Sequence, residues 1–160
     1  MSLSYPVASD NQLARLLQIG MVLEEVVEAR AHQQNERLDT ELESPTRTLL
    51  AETAKEAANH RDRLEELVDR LDADPVAYKE IEQLVAARYE PDTNTDGVLY
   101  DQLASEETAY KFYDDLLSAI ESSDIGFGVD RDYLVGVLRE IRTEEEAGVE
   151  RVMKLMEARQ

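Results

Sequence analysis

Cysteine is absent from the 160 residues. That one absence excludes disulfides, thiolate zinc sites, iron–sulfur clusters and a cysteine nucleophile. Long hydrophobic runs are also missing. No stretch approaches the roughly 18 apolar residues that span a bilayer, and no signal-peptide pattern opens the chain. A cytoplasmic location is the expectation. Positive charge is scarce: 17 Lys and Arg stand against 36 Asp and Glu, for a net charge of −19. Nucleic acid and anionic membranes would repel such a surface and are not expected as partners. Acid excess with only four lysines fits a protein of a high-salt cytoplasm, where salt screens the self-repulsion. Disorder is not the reading, because the apolar residues recur with a period instead of being sparse.

That period is helical, and residues 1–160 read as a single domain. From Leu49 to Leu71, the residues Leu50, Ala54, Ala57, Leu64, Leu67, Val68 and Leu71 fall on one face at about 100° per residue. The first helix is expected from about Asn11 to Arg37, with Asp10 as its N-cap and Leu13, Leu16, Leu17, Gly20, Leu23 and Val27 on its apolar side. Ser44-Pro45, a cap followed by proline in the first turn, starts the second helix, which runs to about Asp72. Asp74-Pro75 repeats that signal and opens a shorter helix to about Tyr89. Pro91 to Gly97 reads as a loop. The third long helix covers about Val98 to Ser122, and Ser123 to Val129 is the next break. Asp130 caps the fourth, which continues nearly to the end.

Four amphipathic helices make an all-α four-helix bundle the economical solution. Short links pair the first helix with the second, and the third with the fourth, as antiparallel hairpins. The two dozen residues between the second and third allow a long crossover containing the short helix.

Charged residues inside the apolar stripes are the functional signal. His60 lies on the core face of the second helix. Glu145 falls within about 20° of the stripe centre of the fourth helix, and Glu106 is similarly central on the third. On the first helix Glu24 lies nearest the stripe, toward its edge; Glu25 points nearly opposite and Glu28 is intermediate. All four positions sit near the middle of their helices, so packing in register brings them to one level. Three buried carboxylates repel unless protonated or neutralised, and a cation resolves the conflict. Carboxylate and imidazole donors suit iron, manganese or zinc. The competing reading is a metal-free bundle that serves as a structural or protein-interaction module.

The arrangement resembles the ferritin-like superfamily, and within it the rubrerythrin-like branch. That family takes a Glu from each of helices 1 and 3 and Glu-Glu-x-x-His from each of helices 2 and 4. Glu106-x-x-Ala109-x-x-x-Tyr113 is similar to its third-helix pattern, and Glu24-x-x-Val27-x-x-x-Ala31 is a looser match on the first. Superposing His60–Leu67 on Gly148–Leu155 gives Glu56-Ala57-x-x-His60 in the second helix and Glu144-Glu145-x-x-Gly148 in the fourth. Each of those helices lacks one ligand of the family set.

The resemblance implies a ferritin-like crossover topology and a site for metal handling or redox chemistry, with Glu24, His60, Glu106 and Glu145 as metal residues. Glu24, His60 and Glu145 would keep one metal position intact, whereas the second has no histidine. One ion per chain is therefore expected, iron, manganese or zinc, with no ion at all as the alternative. The oligomeric state stays open in the sequence, and the long amphipathic helices are compatible with a homodimer.

Overall fold

A computed structural model describes residues 6–37, 43–75 and 97–158, together with 77, 79, 80 and 83. The described residues form four long helices and no strand: α1 Asp10–Arg37, α2 Ser44–Arg70, α3 Val98–Glu121 and α4 Arg131–Ala158. Most of the short helix expected over 75–89 lies outside the described residues; of those described, 79, 80 and 83 are helical. None of the described helices is long and apolar enough to cross a membrane.

Helix ends follow local chemistry, with two departures from the sequence reading. Ser9, and not Asp10, caps α1: its Oγ accepts the Gln12 N–H at 3.1 Å, and Gln12 Oε1 in turn accepts the Ala8 N–H at 2.6 Å. Asp10 is used elsewhere. Its carboxylate accepts the N–H of Asp72 at 2.9 Å and that of Gly128 at 3.0 Å, tying two loops to one end of the bundle. A Cβ at residue 128 would fall 2.7 Å from Asp10 Oδ2, which is why glycine stands there. The second departure is at α2, where Ser44 is already helical and Glu43 is the N-cap without a side-chain hydrogen bond. Asp130 caps α4 as expected, accepting the Tyr133 N–H at 3.1 Å. Next to it, Arg131 donates to the carbonyls of Ile120 and Ile125, tying the start of α4 to the end of α3 and the loop after it.

α1 packs on α2 and α3, and α4 packs on the same two, so α2 and α3 face each other across a diagonal. Every neighbouring pair is antiparallel. Glu24 meets His60 while Ala31 meets Ala54 and Leu50; Glu24 meets Tyr113 while Gln34 meets Gln102. Arg63 meets Glu140 while Glu56 meets Arg151, and Asp114 meets Arg142 while Glu121 meets Arg139. α2 therefore ends at the pole closed by Asp10 and Gly128. α3 begins at the opposite pole, where Val98 packs with Ala31, Leu50 and Ala54.

The core is divided along the bundle axis. Toward the Asp10 pole it is dense, with Leu17, Leu64, Tyr113, Ile120 and Leu138 among its fully buried members. Toward the Val98 pole are two small clusters, one of Ala31, Leu50, Ala54 and Val98, the other of Leu49, Leu99 and Val152. Between the dense core and these clusters lies a belt of buried ionisable groups.

Candidate metal centre

His60 reaches the belt because it occupies the same stripe of α2 as Leu64 and Leu67, one helical turn from Ala57. It is 1% exposed; Glu24 is 1%, Glu145 4% and Glu106 5% exposed. All four candidates are thus interior. Glu24 was expected at a stripe edge and is instead central. α1 turns Leu13, Leu17, Met21 and Ala31 into the core, leaving Leu16, Leu23 and Val27 half-buried. Its two acidic neighbours are sorted by Arg61, whose guanidinium donates to Glu25 Oε2 at 2.6 Å and to Glu28 Oε1. The other histidine, His32, is exposed beside Glu28.

Three of the candidates converge on one atom. His60 Nδ1 lies 3.0 Å from Glu145 Oε1 and 3.4 Å from Glu24 Oε1. All three donor atoms lie within 4.8 Å of one another. Tyr113, seven residues after Glu106 on α3, donates its hydroxyl to Glu24 Oε1 at 2.8 Å. Two ligands held about 2.1 Å from a common ion at angles of roughly 90–110° are themselves about 3.0–3.4 Å apart. The donor set and its spacing therefore fit a single divalent cation, and buried Glu, His and Glu side chains could bind one.

Glu106 stands apart. It shares a hydrogen bond with Glu145 but belongs to neither of the two groups of converging donor atoms. Its carboxyl lies over Gly148, where a Cβ would come 2.5 Å from Glu106 Oε2 and 2.7 Å from Cδ. Gly148 thus makes the space that Glu106 fills.

Electrostatics separates these groups. Burial, then the hydrogen bond and charge of Glu145, push Glu106 up to about 10, so it is a neutral acid near pH 7. Glu145 is pushed up to about 7 by burial and by the charge of Glu24, with hydrogen bonds from His60 and Glu106 pulling it down. Burial works against charge on His60, but hydrogen bonds to Glu145 and Glu24, and their charges, outweigh it and raise the imidazole to about 11. Burial and the nearby Glu24 charge hold the Tyr113 hydroxyl well above its usual value, so it remains a donor.

Two further residues touch His60. Nε2 lies 3.4 Å from Glu144 Oε1 and 3.8 Å from Glu56 Oε1. The Glu56–His60 spacing of four residues was a readable sign of that contact. Glu144 is brought to His60 only by the packing of α4 on α2. No family model, curated protein or solved structure matches the chain.

Proposed function

We propose that the protein is a ferritin-like, rubrerythrin-like metal-binding bundle that holds one ion of iron, manganese or zinc per chain, for metal handling or redox chemistry. The observation that carries this reading is the triangle of Glu24, Glu145 and His60 Nδ1, buried between helices at ligand-to-ligand spacing. Oxygen-rich sites of this kind between bundle helices are those that carboxylate-bridged iron proteins use. The ferritin-like topology is supported by the chain ends: α2 stops at one pole and α3 starts at the other, across the diagonal. An ion in the triangle would supply Lewis acidity or one-electron chemistry. Glu24 and Glu145 would bind it and balance its charge, Tyr113 would orient Glu24, and Glu106 would donate to Glu145. The acid excess suits a protein of a high-salt cytoplasm that avoids nucleic acid and anionic membranes.

A second reading has its own support. The imidazolium bonded to Glu145 and close to Glu24 is a satisfied buried ion triad, and a metal-free bundle serving as an interaction module needs nothing more.

Thermal melts of chelator-treated protein with and without Zn²⁺ or Fe²⁺ separate the two. Binding to the folded state alone stabilises by about 2.7 kcal/mol at a hundredfold excess over Kd, or roughly 5–10 °C for a chain of this size. The metal reading expects that rise in the parent and its loss in His60→Ala. An unmoved parent melt favours the metal-free reading.

A further inference from the structure

The imidazole of His60 has two nitrogens, and the second faces two carboxylates that line a solvent-open cleft. Nδ1 is turned to the sealed triangle. Nε2 is turned to Glu144 Oε1 and Glu56 Oε1, at 3.4 and 3.8 Å, longer than the usual 2.9–3.0 Å of an N–H···O bond. These three atoms also lie within 4.8 Å of one another. Both carboxylates are aimed, because the other oxygen of each is held from outside. Arg151 donates to Glu56 Oε2 at 2.7 Å, and Arg63 to Glu144 Oε2 at 3.4 Å. The pair stands in an open cleft of about 370 Å³ between α2 and α4, lined also by Lys55, Asn59, Ala147 and Arg151. By contrast, the groove between α1 and α3, lined by Leu23, Val27 and Thr108, presents no carboxylate.

An ion bound by Glu24 and Glu145, which are 1% and 4% exposed, has to pass some part of the bundle wall. Two carboxylates that line the cleft stand on the other side of the very ring that would ligate it. We infer that this cleft is the entrance to the buried site, with Glu56, Glu144 and His60 Nε2 forming an outer station for a divalent cation on its way in. The inference rests on the reading of the inner triangle as a metal site. A neutral imidazole has one lone pair, so His60 serves the outer or the inner station but not both. The stations are used in turn, and the chain holds one ion. Two carboxylates at the mouth of a cleft also focus the field that draws a cation in.

The test is the rate of loading. Full-length protein stripped of metal is mixed with Co²⁺ in a stopped-flow spectrometer, and the visible absorption of the bound ion is followed. In Glu56→Gln/Glu144→Gln the second-order rate falls about tenfold and loses much of its ionic-strength dependence. Equilibrium affinity and the stoichiometry of one stay as in the parent, because an entrance acts on arrival and departure alike. Asp62→Asn/Asp69→Asn, which removes the same charge from exposed positions of α2, loads at the parent rate. If the double glutamine variant does not fold, Glu144→Gln alone is read for the same split between rate and affinity. An unchanged rate overturns the entrance, as does an equal fall in the control variant. A loss of affinity at unchanged rate also overturns it and makes the pair a support for His60. A parent that takes up no Co²⁺ overturns the reading of the inner triangle, and the entrance with it.

Discussion

Two halves of the buried belt carry the same helical pattern and have opposite character. In one, Glu24 is followed seven residues later by Ala31; in the other, Glu106 is followed seven residues later by Tyr113. The hydroxyl of Tyr113 crosses to Glu24, whereas Ala31 has none to offer in return. Likewise His60 on α2 corresponds to Gly148 on α4, and Ala57 to Glu145. The first half keeps an imidazole, a tyrosine and two carboxylates within bonding distance, and it is charged. The second keeps one carboxyl, pressed over a glycine and held neutral. Three positions, Ala31, Ala57 and Gly148, thus separate a site that can hold a cation from one that holds a proton. Repetition of the helix pattern sets where groups converge; the small residues decide what converges there.

Removing the centre of the charged half should have the largest effect. His60→Ala leaves Glu24 and Glu145 facing each other without their cation. Breaking a buried pair costs about 3–5 kcal/mol, read as a lowered midpoint in urea for the metal-free protein at pH 7. A loss below about 1 kcal/mol, the scale of an exposed pair, would mean that water already screens the belt.

The neutral half is sharpened by adding one carbon. Alanine at position 148 gains about 1 kcal/mol of helix propensity over glycine, but its Cβ meets the Glu106 carboxyl at 2.5 Å. Overpacking costs about 1–3 kcal/mol, so Gly148→Ala should be net destabilising. In a Glu106→Ala background the clash is gone and the same change should stabilise. A double-mutant cycle with no coupling would show that Glu106 does not occupy the glycine cradle. The ferritin-like pattern that the sequence resembles supplies a stronger version: Ala57→Glu/Gly148→His should raise metal content toward two ions per chain as Glu106 moves off the glycine.

Acidity gives a test of intermediate size. Glu106 moves from an ordinary value of 4.5 to about 10 on folding, so between those limits the folded chain binds the extra proton and stability falls as pH rises. His60 acts with the same sign: its raised value of about 11 means its stabilisation is complete below 6.5 and is lost as pH climbs through 11. The metal-free protein should therefore weaken steadily from about pH 5 toward pH 10. Glu106→Gln mimics the neutral acid and should flatten that decline while leaving the His60 part. An unaltered slope in the glutamine variant would contradict a protonated Glu106.

The smallest effect belongs to a group that flanks the charged half, set against a larger one beside it. Tyr113→Phe removes a hydrogen bond to a charged group, worth about 1.5–3 kcal/mol. Glu25→Gln weakens the Arg61 pair at the edge, where about 1 kcal/mol or less is expected. Reversal of that order in urea titrations would mean that Glu25, and not Glu24, serves the site.

Much of this was legible in the sequence, for reasons that differ by element. The four helices were readable because a 3.6-residue stripe is a local property, and the depth of His60, Glu106 and Glu145 followed from it. Glu24 was placed at an edge because α1 packs against two neighbours and carries two apolar ridges; one segment cannot show which ridge is central. Ser9 and Asp10 are both good caps, and the choice between them is made by two distant loops that need Asp10 as an acceptor. The outer face of His60 was half visible, through Glu56 four residues before it. Glu144 arrives from another helix, beyond the reach of any local pattern.

The central claim is that the charged half binds one cation through Glu24, His60 and Glu145. Anomalous scattering from crystals grown with Mn²⁺ or Zn²⁺ tests it directly. The account predicts a single interior peak about 2.0–2.2 Å from His60 Nδ1 and from an oxygen of each carboxylate, with Glu106 and Gly148 outside its ligand set. An interior with no anomalous peak at saturating metal, or a peak ligated by Glu106 without His60, would contradict it.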